Sequence, residues 1–394
     1  MHFRKFKANN IFTGSTFLDP EIVLVTDNEG IIVDTISTKD AGDNIEVFDG
    51  ILTPGFINAH CHLELSHLKN VVPEGTGLVQ FVQQVMTKRG ASDEEKVGAM
   101  KNAEQELYES GTVAVGDICN TADSISIKQK SNIYWHNFVE VSGFVDVMAG
   151  KRLDDAKTLL AKFKSEKSKA KSNTTLSPHA PYSVSKTLFE QLNNETTEQL
   201  ITIHNQECLA EEELYKNKTG DFLELYKNFG IDISSFHPTG KSSLQSFLPY
   251  FTNNQSIISV HNTFIKRDDV DFAKSKVKSQ KLYFCICINA NKYIEQTIPP
   301  FDLLKNSSHD IVIGTDSYAS NWQLNVLEEI KTIQQSTNIS LQEILTWATI
   351  NGARALQIDN NFGSFEKGKK PGIVFIDKVN GPTTTQQSSA KRII

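Results

Sequence analysis

The chain reads as an α/β protein: a (β/α)8 TIM barrel with a small β-sandwich domain formed by both chain ends. Three observations predict it. Short apolar strands alternate with longer polar, helix-like segments from Thr53 onward, the signature of βα units around a parallel sheet. Eight such strands can be counted in 394 residues, enough for one barrel of about 250 residues plus extras. Histidines fall at strand C-terminal ends, where a barrel carries its chemistry.

Taken in order, residues 1 to 52 read as strands. Glu21 to Thr26 and Ile31 to Ser37 are rich in β-branched residues and flank the turn Asp27-Asn28-Glu29-Gly30. The first barrel strand runs from Thr53 to His62, and the second is Thr112 to Ile118. Ile133 to Val141, Thr174 to Ser177 and Leu200 to His204 follow, then Ile257 to His261, Leu282 to Ile288 and Ile311 to Gly314. Helices are predicted over Glu94 to Ser110, Leu153 to Ser168, Val184 to Asn193, Asn325 to Gln335 and Leu341 to Ala355. Ile373 to Ile376 is a strand too late for an eightfold barrel. It is expected to pair with the N-terminal strands, so that 1–52 and 364–394 form a composite β-domain around a 53–363 barrel. Residues 379–390 are polar and read as loosely ordered.

Composition narrows the partners. A net charge of -7 and pI near 5.8, with no basic block, give no electrostatic reason to expect nucleic acid. No apolar run approaches a membrane span, and the N-terminus lacks the apolar core of a signal peptide. Five scattered cysteines read as reduced thiols of a cytoplasmic protein. Cys285 and Cys287 share one face of a strand-like run, where core packing outweighs a soft-ligand role.

The chemistry begins at His60-Cys61-His62. Residues two apart on a strand point the same way, so the two imidazoles stand side by side as half of a metal site. A lone HxH is more often packing than chemistry. Here His179 follows strand four, His204 ends strand five, His261 ends strand six and Asp316 follows strand eight. His2, His67, His136, His237 and His309 lie elsewhere and are read as structural, as is Glu140 near the end of strand three.

These motifs resemble the amidohydrolase superfamily, in its cytosine-deaminase-like and nucleoside-deaminase-like branch. The similarity rests on Thr53-Pro54-Gly55-Phe56-Ile57-Asn58-Ala59-His60-Cys61-His62, Ser177-Pro178-His179-Ala180-Pro181-Tyr182-Ser183, His204-Asn205-Gln206-Glu207 and Gly314-Thr315-Asp316-Ser317. It spans nearly the whole chain. By that resemblance His60, His62, His204 and Asp316 are the ligands of one divalent metal ion; Zn²⁺ suits them, and Fe²⁺ fits the same set. Two-metal relatives carry a lysine at the end of strand four, which reads Leu176-Ser177-Pro178-His179 here, so one ion is expected.

The resemblance further implies that Asp316 takes a proton from the attacking water and that Glu207 protonates the ring nitrogen under attack. His261 steadies the attacking water and the tetrahedral centre, and His179 donates to the substrate ring. The continuation His62-Leu63-Glu64-Leu65-Ser66 is similar to aminodeoxyfutalosine deaminases, and His-Ala-Pro-Tyr-Ser also occurs in S-adenosylhomocysteine and methylthioadenosine deaminases. A small-molecule aminopurine nucleoside is therefore the first choice of substrate. Glu64, Arg89, Tyr182 and Asn289 are the further candidates for binding it, Arg89 if the substrate bears a carboxylate. Opening of a cyclic amide, or hydrolysis of a triazine-like ring, would use the same site. A barrel that kept its fold for binding or assembly would have lost ligands, and none is missing. Enzymes of this type self-associate as symmetric dimers in many cases.

Overall fold

The computed structural model describes residues 3–165, 172–277 and 281–394. His2 lies outside them, as do residues 166–168 of one predicted helix.

The N-terminal strands are β1 (Phe3–Ile11), β2 (Ile22–Asp27), β3 (Ile32–Ser37) and β4 (Ile45–Pro54). Asp27 Oδ1 accepts from the Glu29 and Ile31 amides, each at 2.9 Å, which folds the β2–β3 turn as its sequence predicts. The late strand β13 (Ile373–Ile376) pairs antiparallel with β4, and β14 (Ala390–Arg392) pairs with β13. All six make one sheet in the order β14-β13-β4-β1-β2-β3. The expected pairing of the chain ends is present, whereas the second sheet of a sandwich is not found among the described residues. Phe6, Ile11, Leu24, Leu52, Phe365 and Ile373 bury its core.

The polar segment 379–390 departs from expectation. Its backbone and hydroxyls are spent on hydrogen bonds, among them Thr384 to Gln334 and Ser388 to the Lys378 carbonyl. These local bonds hold in place a segment whose composition alone offers no core.

The central strands form two four-stranded parallel sheets. One is β5 (Phe56–Cys61), β6 (Thr112–Cys119), β7 (Tyr134–Val141) and β8 (Ser172–Pro178). The other is β9 (Leu200–Asn205), β10 (Ser256–His261), β11 (Leu282–Ile286) and β12 (Asp310–Ile313). Every residue of β5, β6 and β9 is buried, as parallel strands covered on both faces require. Hydrogen bonds cross both seams between the sheets. Thr175 Oγ1 and the His204 amide donate to the Leu200 and His179 carbonyls, each at 2.9 Å. The Thr315 and Asp316 amides donate to His60 O at 3.0 and 3.1 Å.

Two boundaries differ from the sequence reading. Strand seven ends at Ile286, because Ile288–Glu295 is helical; the apolar run continues through the junction and hides it. The predicted helix 341–355 is broken by a π-helical turn at Trp347–Asn351.

Candidate metal centre and active site

β5 ends on His60 and Cys61, with His62 next, so the two rings project together while Cys61 packs with Met100 and Leu107 on the opposite side. β9 brings His204 beside them. His62 Nε2 lies 3.1 Å from His60 Nε2 and 3.2 Å from His204 Nε2. Ligands around a tetrahedral ion at 2.0–2.1 Å stand about 3.3 Å apart, so the three nitrogens fit one divalent cation. Asp316 Oδ1 completes the set at 3.6 Å from His60 Nε2 and 3.4 Å from His62 Nε2.

Neighbouring groups hold these side chains in forms that could bind a metal. His204 Nδ1 donates to the His179 carbonyl at 2.7 Å, which leaves Nε2 as the lone-pair face. Burial pushes His62 down to about 3, against the pull of Asp316, and the surrounding rings add to the effect of burial. Burial likewise holds His204 well below the ordinary range. Both are neutral near pH 7 and need shed no proton to bind a cation. For Asp316 burial works against ionisation, but the imidazoles of His60, His62 and His261 packed around it hold it well below the usual carboxylate range. Its Oδ2 accepts from Ser320 Oγ at 2.6 Å.

The strand ends pay in backbone strain. Gln206, His261, Asn262 and Asp316 adopt φ values of 47°, 72°, 53° and 58°, a region that L side chains enter only when their surroundings impose it. Asn58 supports one of these turns, with Nδ2 donating to Thr315 Oγ1 at 2.7 Å and Oδ1 accepting from the Thr315 amide at 3.1 Å.

Glu207 Oε1 lies 3.5 Å from His261 Nε2, and both side chains are buried. Burial, reinforced by the charges of Asp316, Glu211 and Glu295, raises Glu207 well above the carboxylate range, which favours its protonated form. Burial lowers His261 to about 4. Glu211, which carried no mark in the sequence, accepts from the Gln206 amide at 2.9 Å and the Glu207 amide at 3.4 Å.

His179 reaches the cluster, its ring centroid 4.9 Å from that of His204. His179 Nδ1 and Ser183 Oγ share a hydrogen bond at 2.6 Å, and Ser183 Oγ also lies 3.0 Å from Ala180 O. Nε2 is left for a further partner. Tyr182 packs edge-on against His179 and stacks on Phe222 at 4.4 Å.

The remaining candidates are less central. Glu64 accepts from the Asn120 and Thr121 amides at 3.0 Å, so its carboxylate anchors the loop after β6. The Asn289 amide donates to Glu329 at 3.1 Å. Arg89 is exposed at the end of the helix Leu78–Lys88, and no hydrogen bond or ion pair joins its side chain to the cluster among the described residues. Glu140, read as structural, comes instead to within 4.8 Å of ligand atoms on His179 and His204. All five cysteines are buried free thiols, and neither Cys285 nor Cys287 joins a metal-competent group among the described residues.

Neutral imidazoles and a carboxylate at the C-terminal ends of parallel strands are the equipment of a metal-dependent hydrolase. A model of the amidohydrolase family matches residues 51–393, and the chain belongs to that family. It is 28% identical over 330 residues to an adenosine deaminase of Helicobacter pylori, covering 82% of this chain and 78% of that one. A 5-methylthioadenosine/S-adenosylhomocysteine deaminase of Thermoanaerobacter pseudethanolicus is 28% identical over 350 residues, 84% of this chain and 75% of that one. Among solved structures, Helicobacter pylori aminofutalosine deaminase in complex with methylthio-coformycin superimposes with a TM-score of 0.84 at 24% identity, over 99% of this chain and 100% of that one. That likeness establishes an α/β fold of the TIM-barrel type.

Proposed function

We propose that this protein is a metal-dependent hydrolytic deaminase of an aminopurine nucleoside, of the adenosine or aminodeoxyfutalosine kind. The observation that carries the reading is the convergence of three Nε2 atoms, two of them 3.1 and 3.2 Å from the third, with Glu207 buried 3.5 Å from the neighbouring His261. The relatives' deaminase activities support the choice of reaction.

His60, His62, His204 and Asp316 would hold one ion, zinc by the preference of a three-imidazole, one-carboxylate set. When bound, that cation supplies a Lewis acid that makes water a nucleophile near neutral pH. Asp316, fixed by Ser320, accepts a proton from the attacking water. Glu207 gives its proton to the ring nitrogen adjacent to the amino-bearing carbon, and that carbon becomes tetrahedral. The proton that Asp316 took is relayed through Glu207 to the departing amino group, which leaves as ammonia, and Glu207 recovers its own proton from the new hydroxyl as the carbonyl forms. His261, neutral and next to Glu207, steadies the water and the tetrahedral centre. Glu211 aims Glu207 by holding the two amides at its base.

The site is carried by residues 53–363 as one (β/α)8 barrel, supported by the hydrogen bonds across both sheet seams, with 1–52 and 364–394 as a composite β-domain. Five buried thiols with no disulfide suit the reducing cytoplasm. No described helix is long and apolar enough to cross a membrane.

The test combines metal analysis with an ammonia-release screen over aminopurines, aminopyrimidines and their nucleosides. One equivalent of metal and turnover of an adenine-type nucleoside are expected. Metal-replete protein that releases no ammonia from any amino heterocycle would end the deaminase reading. Glu207→Gln should keep its metal and lose about 10²- to 10⁴-fold in kcat. Near-normal turnover by that variant would remove Glu207 from the mechanism.

A further inference from the structure

Glu140 has an environment that packing does not explain. Alternate residues of a strand share a face, so β7 sends His136, Phe138 and Glu140 the same way. His136 and Phe138 are fully buried and stack at 4.4 Å. Glu140 follows them at the strand's C-terminal end, where its Oε2 is buried with no hydrogen-bond partner among the described residues. A carboxylate oxygen in that state costs free energy until a donor reaches it.

Its neighbours supply none. Glu140, His179 and His204 place ligand atoms within 4.8 Å of one another, yet no hydrogen bond or ion pair joins Glu140 to either ring among the described residues. His204 is fully committed, with Nδ1 on the His179 carbonyl and Nε2 facing His62. His179 spends Nδ1 on Ser183. The Glu140 carboxylate and His179 Nε2 therefore remain as two polar groups with a gap between them. One atom bridging two ordinary hydrogen bonds spans about 4.6 Å, so the gap is the right size for a donor group and too wide for a direct bond. Two free ligands are also too few to hold a second cation tightly.

A buried acceptor beside an imidazole nitrogen selects a pair of hydroxyls, since one can donate to the carboxylate and the other can donate to or accept from the ring. The geometry points to Glu140 and His179 as a subsite for the vicinal hydroxyls of a nucleoside's sugar, beside the metal centre. This rests on the nucleoside reading given above. One hydroxyl donates to Glu140 and its neighbour hydrogen-bonds His179 Nε2, which places the sugar toward β7 and β8 and turns the base toward Glu207. The second three-residue group is then a substrate clamp that shares His204 with the metal centre.

The test compares adenosine with 2′-deoxyadenosine and 3′-deoxyadenosine on wild-type protein, Glu140→Gln and Glu140→Asp. Wild type should lose about ten- to a hundredfold in kcat/KM, mainly through KM, when a clamped hydroxyl is absent. Glu140→Gln should lose a similar factor on adenosine and little further on the deoxynucleoside, and Glu140→Asp should recover part of the loss. Equal losses on all three substrates, or no discrimination by wild type, would overturn the clamp. Should Glu140→Gln fail to fold by circular dichroism, the wild-type substrate series decides alone. If wild type deaminates no nucleoside, the nucleoside reading fails and the clamp with it; turnover with indifferent variants removes the clamp only. Loss of one of two metal equivalents in Glu140→Gln would show a second metal site instead.

Discussion

Ser320 donates to Asp316 Oδ2 at 2.6 Å and leaves Oδ1 turned toward His60 and His62. A carboxylate fixed in this way loses little freedom when it ligates, which is what a hydrogen bond behind a ligand contributes. Ser320→Ala should lower metal affinity by about 10- to 100-fold with the fold retained, measured by competition with a chelator. Unchanged affinity would show that Asp316 is oriented without it. The four residues proposed as ligands stood out in the sequence because only a few residue types can bind a cation and they recur at strand ends. Ser320 and Glu211 did not, since a serine or a helix-start glutamate carries no chemical signature until its partner is known.

The parallel strands were readable as apolar runs bounded by polar segments, and the end of strand seven was not, because its run passes straight into a helix. What holds these strands close is less visible. Gly314 follows β12 at the seam with β5. A Cβ there would stand 2.8 Å from His60 Cβ and 2.9 Å from each of Cys285 Sγ and Cys287 Sγ. Gly314→Ala must therefore push β12 away from the first ligand or rotate His60. Overpacking of this kind costs about 1–3 kcal/mol. The variant should unfold at lower urea concentration and bind less metal per chain. Wild-type metal content together with wild-type stability would show that the strands can part without disturbing the site. On the surface, Ser92 and Glu95 close a capping box at the start of the helix Asp93–Glu109. Ser92→Ala should cost about 1 kcal/mol in urea unfolding and leave turnover untouched. An equal loss of activity would mean that this helix, which packs near β6, transmits strain to the site.

The parallel sheets and their margins bury titratable groups of both kinds, and together they shape how the protein's stability depends on pH. His136 is held at about 3 by burial, and in metal-free protein so is His62, while His261 falls to about 4. Each binds fewer protons folded than unfolded, so each stabilises the fold as pH rises from about 3 toward 6.5 and adds nothing further above it. Burial raises Glu64 and Glu329 to about 8 and Glu211 to about 7. These bind more protons folded than unfolded, so their contribution is complete below the ordinary carboxylate value and is lost as pH rises through the folded one. Between about pH 4.5 and 6.5 the two sets oppose each other. Above 6.5 only the carboxylates act. Chelator-treated protein should therefore lose stability as pH rises from 6.5 to 8, by about 1 kcal/mol per pH unit for each such group still protonated in the fold. Urea unfolding across that range reads the slope. Glu329 is the carboxylate to change, because it accepts from the Asn321 side chain and the Asn289 amide outside the ligand set. Glu329→Gln cannot ionise, so its slope should be shallower than wild type by that one group's share. A slope that Glu329→Gln leaves unaltered would mean that this carboxylate is already ionised in the folded protein, with its two amide donors outweighing burial.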